Sequence, residues 1–170
     1  FLANGSGHSN SEPRHIPVPQ CRNGLLSVCA APPHVEGRPH GVVFAAGFNA
    51  VVAVCLATDA VLWSARSGHD ALVLSIAVSA DGSRLVTGCA EGAVVLRSAA
   101  SGAIIDRAPR LHPASIGALH FVADDRAACA LGGGSSTLAF LKLPAHPRHR
   151  LAHGVVPPEV LPADVVPCCV

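Results

Sequence analysis

The stretch "AVSADGSRLVTGCAEGAVVLRSAASG", residues 77–102, places glycines at 82, 92 and 102, ten residues apart, with an apolar run in each gap. A helix cannot use such short runs, and their valines lose side-chain freedom in a helical turn. Valine suits a pleated, half-buried surface instead. Asp81-Gly82, Glu91-Gly92 and Ser101-Gly102 therefore read as three hairpin turns, because Gly and Asp tolerate a positive φ. In 72–78, Leu72, Leu74, Ile76 and Val78 alternate with Val73, Ser75 and Ala77, so both faces of the strand are largely apolar. A sheet wetted on one side shows a polar residue at every second position; this one is expected to be packed on both sides.

The pattern recurs. His69 and His112 lie 43 residues apart, as do Asp81 and Asp124. "LVLSIAVSADGSRLVTGCAEG" aligns with "ASIGALHFVADDRAACALGGG" over most of its length without a gap. A looser copy opens with "LLSVCAAPP", is interrupted by "HVEGRPHG", and resumes with "VVFAAGFNAVVAVCLATDAVLWSARSGH". A period of about 40–45 residues is that of a four-stranded propeller blade. Three copies are expected, at 25–68, 69–111 and 112–144. Residues 1–24 read as a linker or the remnant of a preceding blade, and 145–170 as a proline-rich tail.

"SGHDALVLSIAVSADGSRLVTGCAEGAVVLRSAASG" resembles a repeat of the WD-repeat β-propeller family. Gly68-His69, "SADG" at 79–82, "LVTGC" at 85–89 and Glu91-Gly92 fill successive positions of its motif. Arg97-Ser98 stands where the family has Trp-Asp; Cys55-Leu56 and Leu141-Lys142 stand there in the other copies. The resemblance implies an all-β fold, a partial propeller of about three four-stranded antiparallel blades. It also implies blade-internal hydrogen bonding by His69, Thr87 and Glu91, with His112 as the equivalent of His69. Without Trp-Asp the second blade is expected to lack its full internal lock. Kelch-like or other diverged propellers are the alternative.

Half of the residues are apolar, but with five Phe, one Trp, no Tyr and no Met the core must come from Val, Leu, Ala, Ile and Cys. Twelve basic residues against eleven acidic ones give no field for neutralising phosphates, so nucleic acid is not an expected partner. The apolar runs are too short for a helical membrane span, and no signal peptide is visible. The seven cysteines are odd in number and widely spaced, with no CxxC pair. Cys29, Cys55, Cys89 and Cys129 each sit inside an apolar run and read as small core residues in a reducing compartment, with a cytoplasmic or nuclear location expected.

Other motifs have bland readings. "HPRHRLAH" puts His146, His149 and His153 at helical spacing, but Pro147 breaks that register. "GGGSS" at 132–136 lacks the Lys-Ser/Thr of a phosphate loop and reads as a turn. Trp63 reads as packing on an outer strand, and His120 as a core or edge histidine. Cys168-Cys169 do not form a prenylation box. No enzyme activity, cofactor or metal is expected.

The resemblance implies a scaffold that binds protein partners through its loops. Arg66, Asp70, Arg107 and Arg110 are the expected partner-binding residues, arginine being enriched at interaction hot spots. Propellers usually close with four to eight blades, so three imply a larger ring. The chain is expected to be part of a longer propeller, since it begins with Phe1 rather than Met. A homodimer, ring completion by another chain, a structural subunit of another protein's ring and a channel-site enzyme are the alternatives.

Overall fold

Every strand pairs antiparallel with its neighbour in a computed structural model that describes residues 15–21, 24–32, 41–48, 50–122, 125–132 and 137–144. No helix occurs among these residues. The first sheet is a meander of β1 (Leu25–Ala30), β2 (Val42–Gly47), β3 (Ala50–Cys55) and β4 (Ala60–Arg66). The middle sheet repeats it with β5 (Val73–Val78), β6 (Arg84–Cys89), β7 (Val94–Ser98) and β8 (Ile104–Ala108). The third contains β9 (Ile116–Val122), β10 (Ala127–Gly132) and β11 (Leu138–Lys142). It has three strands where four are expected; the stretch that would follow β11 lies outside the described residues, as do Asp124, residues 133–136 and the histidines and cysteines of 145–170.

The ten-residue glycine spacing has a direct structural cause. Gly82, Gly92 and Gly102 all adopt left-handed φ, at 67°, 80° and 73°. Each sits where one strand of the middle sheet turns into the next. In the third sheet Asp125 stands 43 residues beyond Gly82 and takes the same conformation, with φ 62°.

The sheets pack face to face, which explains why the strands are apolar on both sides. β3 and β6 are buried at every position. Val42, Phe44, Ala46, Val51 and Ala53 of the first sheet meet Val73, Ile76 and Leu85 of the middle one. On its other face, Val86, Val94 and Leu96 meet Ile116, Leu119, Ala128 and Ala130 of the third. The first strands stand side by side: β1 touches β5, and β5 touches β9. The outward-lying β8 is exposed over most of its length.

Strand pairing fixes which positions correspond. Leu85 pairs with Val78 and Arg97; Val43 pairs with Ala30 and Val54; Ala128 pairs with Phe121 and Leu141. The counterpart of Arg97-Ser98 in the first sheet is thus Val54-Cys55, one residue before the Cys55-Leu56 of the sequence alignment. The cause is a shorter turn: Ala46 pairs with Val51, whereas the equivalent Gly88 pairs with Val94, one residue further along.

Residues 15–21 are not a free linker. Ile16, Val18 and Cys21 pack on Ala45, Ala50, Val52 and Val54, the face of the first sheet turned away from the middle one.

Candidate functional site

The chemistry-bearing side chains gather in two places: between the sheets, and on the rim where the turns emerge. Between the sheets the principal groups are two arginines that sequence reasoning did not single out as clamps. Arg97 is 1% exposed and points toward the first sheet. Its Nη1 donates to the Gly102 carbonyl at 2.9 Å, and its Nη2 to the Arg66 carbonyl at 2.8 Å and to that of Ser67. Burial, and then the neighbouring Arg107, lower its pKa to about 10, which still leaves it charged at neutral pH. Arg107 itself is exposed and donates from Nη1 to the Gly68 carbonyl at 3.3 Å. Two guanidinium groups thus converge on three successive carbonyls, 66 to 68.

Arg84, 2% exposed, does the same on the opposite face. Its Nη1 donates to the Pro144 carbonyl at 2.9 Å and its Nη2 to the Asp125 carbonyl. Asp125 replies with its carboxylate, accepting from the main-chain N–H groups of Ala80 at 3.1 Å and Asp81 at 3.3 Å. Ser75 Oγ adds a bond to the Ile116 carbonyl at 3.2 Å. The middle sheet, which carries Arg97-Ser98 where the resemblance expects Trp-Asp, is therefore tied outward to its neighbours by charge-assisted bonds, which are the stronger kind.

His69 Nε2 lies 2.9 Å from Thr87 Oγ1, whose hydroxyl in turn donates to the Val95 carbonyl at 3.4 Å. That order makes Nε2–H the donor and leaves Nδ1 as the bare nitrogen. Nδ1 is buried without a partner. Glu91 does not fill the gap; it is exposed on its turn. Burial, followed by the charges of Arg97 and Arg107, lowers the His69 pKa to about 4, so the ring is neutral.

His112 solves the same problem differently. The position equivalent to Thr87 is Ala130, which has no hydroxyl. His112 Nε2 instead meets Thr137 Oγ1 at 2.8 Å, and its Nδ1 accepts from the Ala114 N–H at 3.0 Å. Both ring nitrogens are satisfied, with Nε2–H as the donor. Thr137 carried no sequence signal, because it lies off the aligned position. The His112 backbone is fixed too: Leu111 and His112 N–H groups donate to the Gly92 carbonyl at 2.9 and 3.1 Å. A Cβ at Gly92 would strike the His112 carbonyl, and φ 80° excludes most other residues as well.

Trp63 is half-buried; its Nε1 donates to the Ala99 carbonyl at 3.1 Å, and its ring stands 6.0 Å from that of Phe44. His120 is exposed on the third sheet rather than buried. Cys55 and Cys89 are buried, while Cys29 and Cys129 are half-buried. Burial pushes the Cys29 thiol up to about 12. Among the described residues no three His, Cys, Asp or Glu side chains converge as a metal site would require.

The rim holds the exposed charges. Arg66 ends β4, and Asp70 follows it in the connection to β5; Glu91 caps the β6–β7 turn, and Arg110 lies just past β8. Since Val94 pairs with Gly88 on one side and Ala108 on the other, these turns emerge at one end of the stack. Arg66, Asp70, Glu91, Arg107 and Arg110 are all exposed.

No family model and no curated protein matches the chain. Solved structures of designed proteins are similar in fold. The computationally designed Ika8 protein matches at TM-score 0.51 and 20% identity, over 60% of this chain and 30% of that one. The computationally designed Ika4 protein matches at TM-score 0.51 and 20% identity, over 61% of each chain. The match spans less than two thirds of either designed chain, and at this identity the likeness concerns the fold alone.

Proposed function

We propose that the chain is a WD-repeat-like propeller segment that serves as a non-catalytic protein-interaction scaffold. The supporting observation is a division of labour among its polar residues. The buried ones, Arg84, Arg97, Thr87 and His112, spend their hydrogen bonds on main-chain groups and on the side chains of His69 and Thr137. The exposed ones, Arg66, Asp70, Glu91 and Arg110, crowd the turns at one end of a stack whose backbone those buried groups hold still. A rigid rim of mixed charge is suited to partner recognition, in which pre-organisation reduces the ordering cost and a few residues carry most of the energy. Recognition there is of protein surfaces, in a cytoplasmic or nuclear setting, with no cofactor.

Affinity capture with the full chain tests this. An Arg66→Glu, Arg110→Glu variant should lose specific partners that the parent retains. A variant at the opposite end of the stack, Ser101→Glu, should keep them. Identical partner sets for all three proteins would sink the rim as a binding face.

A further inference from the structure

The corner between the first and middle sheets holds positive charge with no negative charge to match it. Arg97 of β7 is buried there, and the exposed Arg107 of β8 reaches the same loop from outside. A Cβ on Gly68 would stand 3.0 Å from Arg97 Nη2 and 3.3 Å from Arg107 Nη2. Both guanidinium groups thus close on a residue with no side chain to part them. Both donate to main-chain carbonyls, and neither meets a carboxylate of the described residues. A charge this deeply buried normally has an opposite charge beside it. Burial and then these two cations keep the ring of His69, the next residue, neutral.

The strand itself selects this arrangement. Arg97 pairs with Ile104 and Leu96 with Asp106, so Ile105 is an extra residue, a β-bulge. The bulge turns both Ile104 and Arg107 to the face that carries Arg97; a Cβ on Gly68 would also come 2.9 Å from Ile104 Cδ1. Asp106 is turned the other way, with Leu96 and Ala108, toward the third sheet. In an unbroken strand Asp106, two residues on from Ile104, would share the face of Arg97 as its counter-ion. The fold instead brings a second cation there and aims the carboxylate away, where Asp106 Oδ1 accepts the Arg107 main-chain N–H at 2.8 Å. Bulges re-aim side chains beside functional sites, and a local rule broken without internal gain marks such a site.

The geometry points to a carboxylate receptor: Arg107, with the charge of Arg97 behind it, takes an Asp or Glu side chain of a protein partner at this corner. The inference rests on the partner-binding reading above and names the chemistry that the partner brings. Arg107 spends one Nη1 bond on the Gly68 carbonyl, and its other side-chain donors make no bond within the described residues. A guanidinium fork matches the two oxygens of a carboxylate. A phosphate brings more oxygens than this one exposed fork serves. The two positive charges reinforce each other's pull on an anion.

Titration of the full chain with a blocked pentaglutamate peptide at low salt, set beside thermal melting of the same proteins, tests this. Arg107→Gln should weaken the peptide about 10-fold or more. Arg126→Gln removes the same charge from an exposed position before β10 and should change binding less than about 2-fold. Arg107→Glu supplies the missing carboxylate within the chain; it should abolish peptide binding and raise the melting temperature. A merely structural Arg107 gives the opposite sign, a lower melting temperature in both of its variants, and that result would overturn the proposal. So would equal losses in Arg107→Gln and Arg126→Gln, or a parent that does not bind the peptide. Inorganic phosphate bound more tightly than the peptide, with the same dependence on Arg107, would overturn the carboxylate as ligand. Peptide binding that depends on Arg107 upholds this site even where the Arg66→Glu, Arg110→Glu variant keeps its partners, an outcome that sinks only the rim. Partners lost from that rim variant, with peptide binding indifferent to Arg107, refute the carboxylate site and leave the scaffold reading standing.

Discussion

Toward the first sheet, the middle sheet sends Arg97 into a nest of carbonyls; toward the third it sends Arg84. The devices look alike, but their surroundings differ. Arg84 works in a reciprocal arrangement, since the third sheet returns the Asp125 carboxylate to the Ala80 and Asp81 N–H groups. Arg97 works beside a second cation, Arg107, whose repulsion adds to the cost of burial. Its interface is compensated by larger apolar groups, with Phe44 and Trp63 in the seam. A stack of β-meanders can thus dispense with a hydrogen-bond lock inside each sheet, provided that the bonds run between sheets instead.

The largest expected effect comes from removing the arginines. Arg97→Ala and Arg84→Ala should each cost about 3 kcal/mol in denaturant unfolding, because each leaves buried carbonyls without donors. The two sites face opposite ways, so the double variant should be additive within about 0.5 kcal/mol. A larger coupling would show that the two interfaces are one cooperative structure.

Glycine substitutions probe the same contrast more gently. A Cβ at Gly88 would come 2.6 Å from Ile116 Cγ2, and one at Gly102 would come 2.7 Å from the Trp63 ring. Gly88→Ala and Gly102→Ala should each cost about 2 kcal/mol by overpacking. In an Ile116→Ala background the Gly88→Ala cost should shrink and the Gly102→Ala cost should not. Equal behaviour would break the assignment of each glycine to its own interface.

The histidines give smaller effects. His69 has a pKa of about 4 in the fold against an ordinary 6.5, so between those values the unfolded chain binds more protons. Its contribution is complete above pH 6.5 and is lost as the pH falls toward 4. The melting temperature should fall between pH 7 and pH 5, and His69→Gln should flatten that slope; an unchanged slope would refute a neutral buried ring. Smallest is Thr137→Val, which removes the partner of His112 Nε2 at a partly open site and should cost about 1 kcal/mol.

Local features were legible wherever one residue type enforces one conformation. The turns at Gly82, Gly92 and Gly102 followed from spacing alone, and apolar residues on both strand faces signalled sheets covered on both sides. The resemblance grouped His69, Thr87 and Glu91, yet the structure brings only the first two together; the acidic side chain is exposed. Arg97 was visible as a departure from a motif, but not as a clamp, because its acceptors are carbonyls and any sequence supplies those. Thr137 was invisible for a related reason: a hydroxyl displaced from its aligned position can still reach the same nitrogen in space.

The sequence by itself determined that the chain folds into β-meanders with a 43-residue period, since turn chemistry and side-chain alternation are local properties. Only the tertiary structure decided what joins them. A buried arginine finds its carbonyls on another sheet, 30 or more residues away, and nothing local to Arg84 or Arg97 encodes that distance.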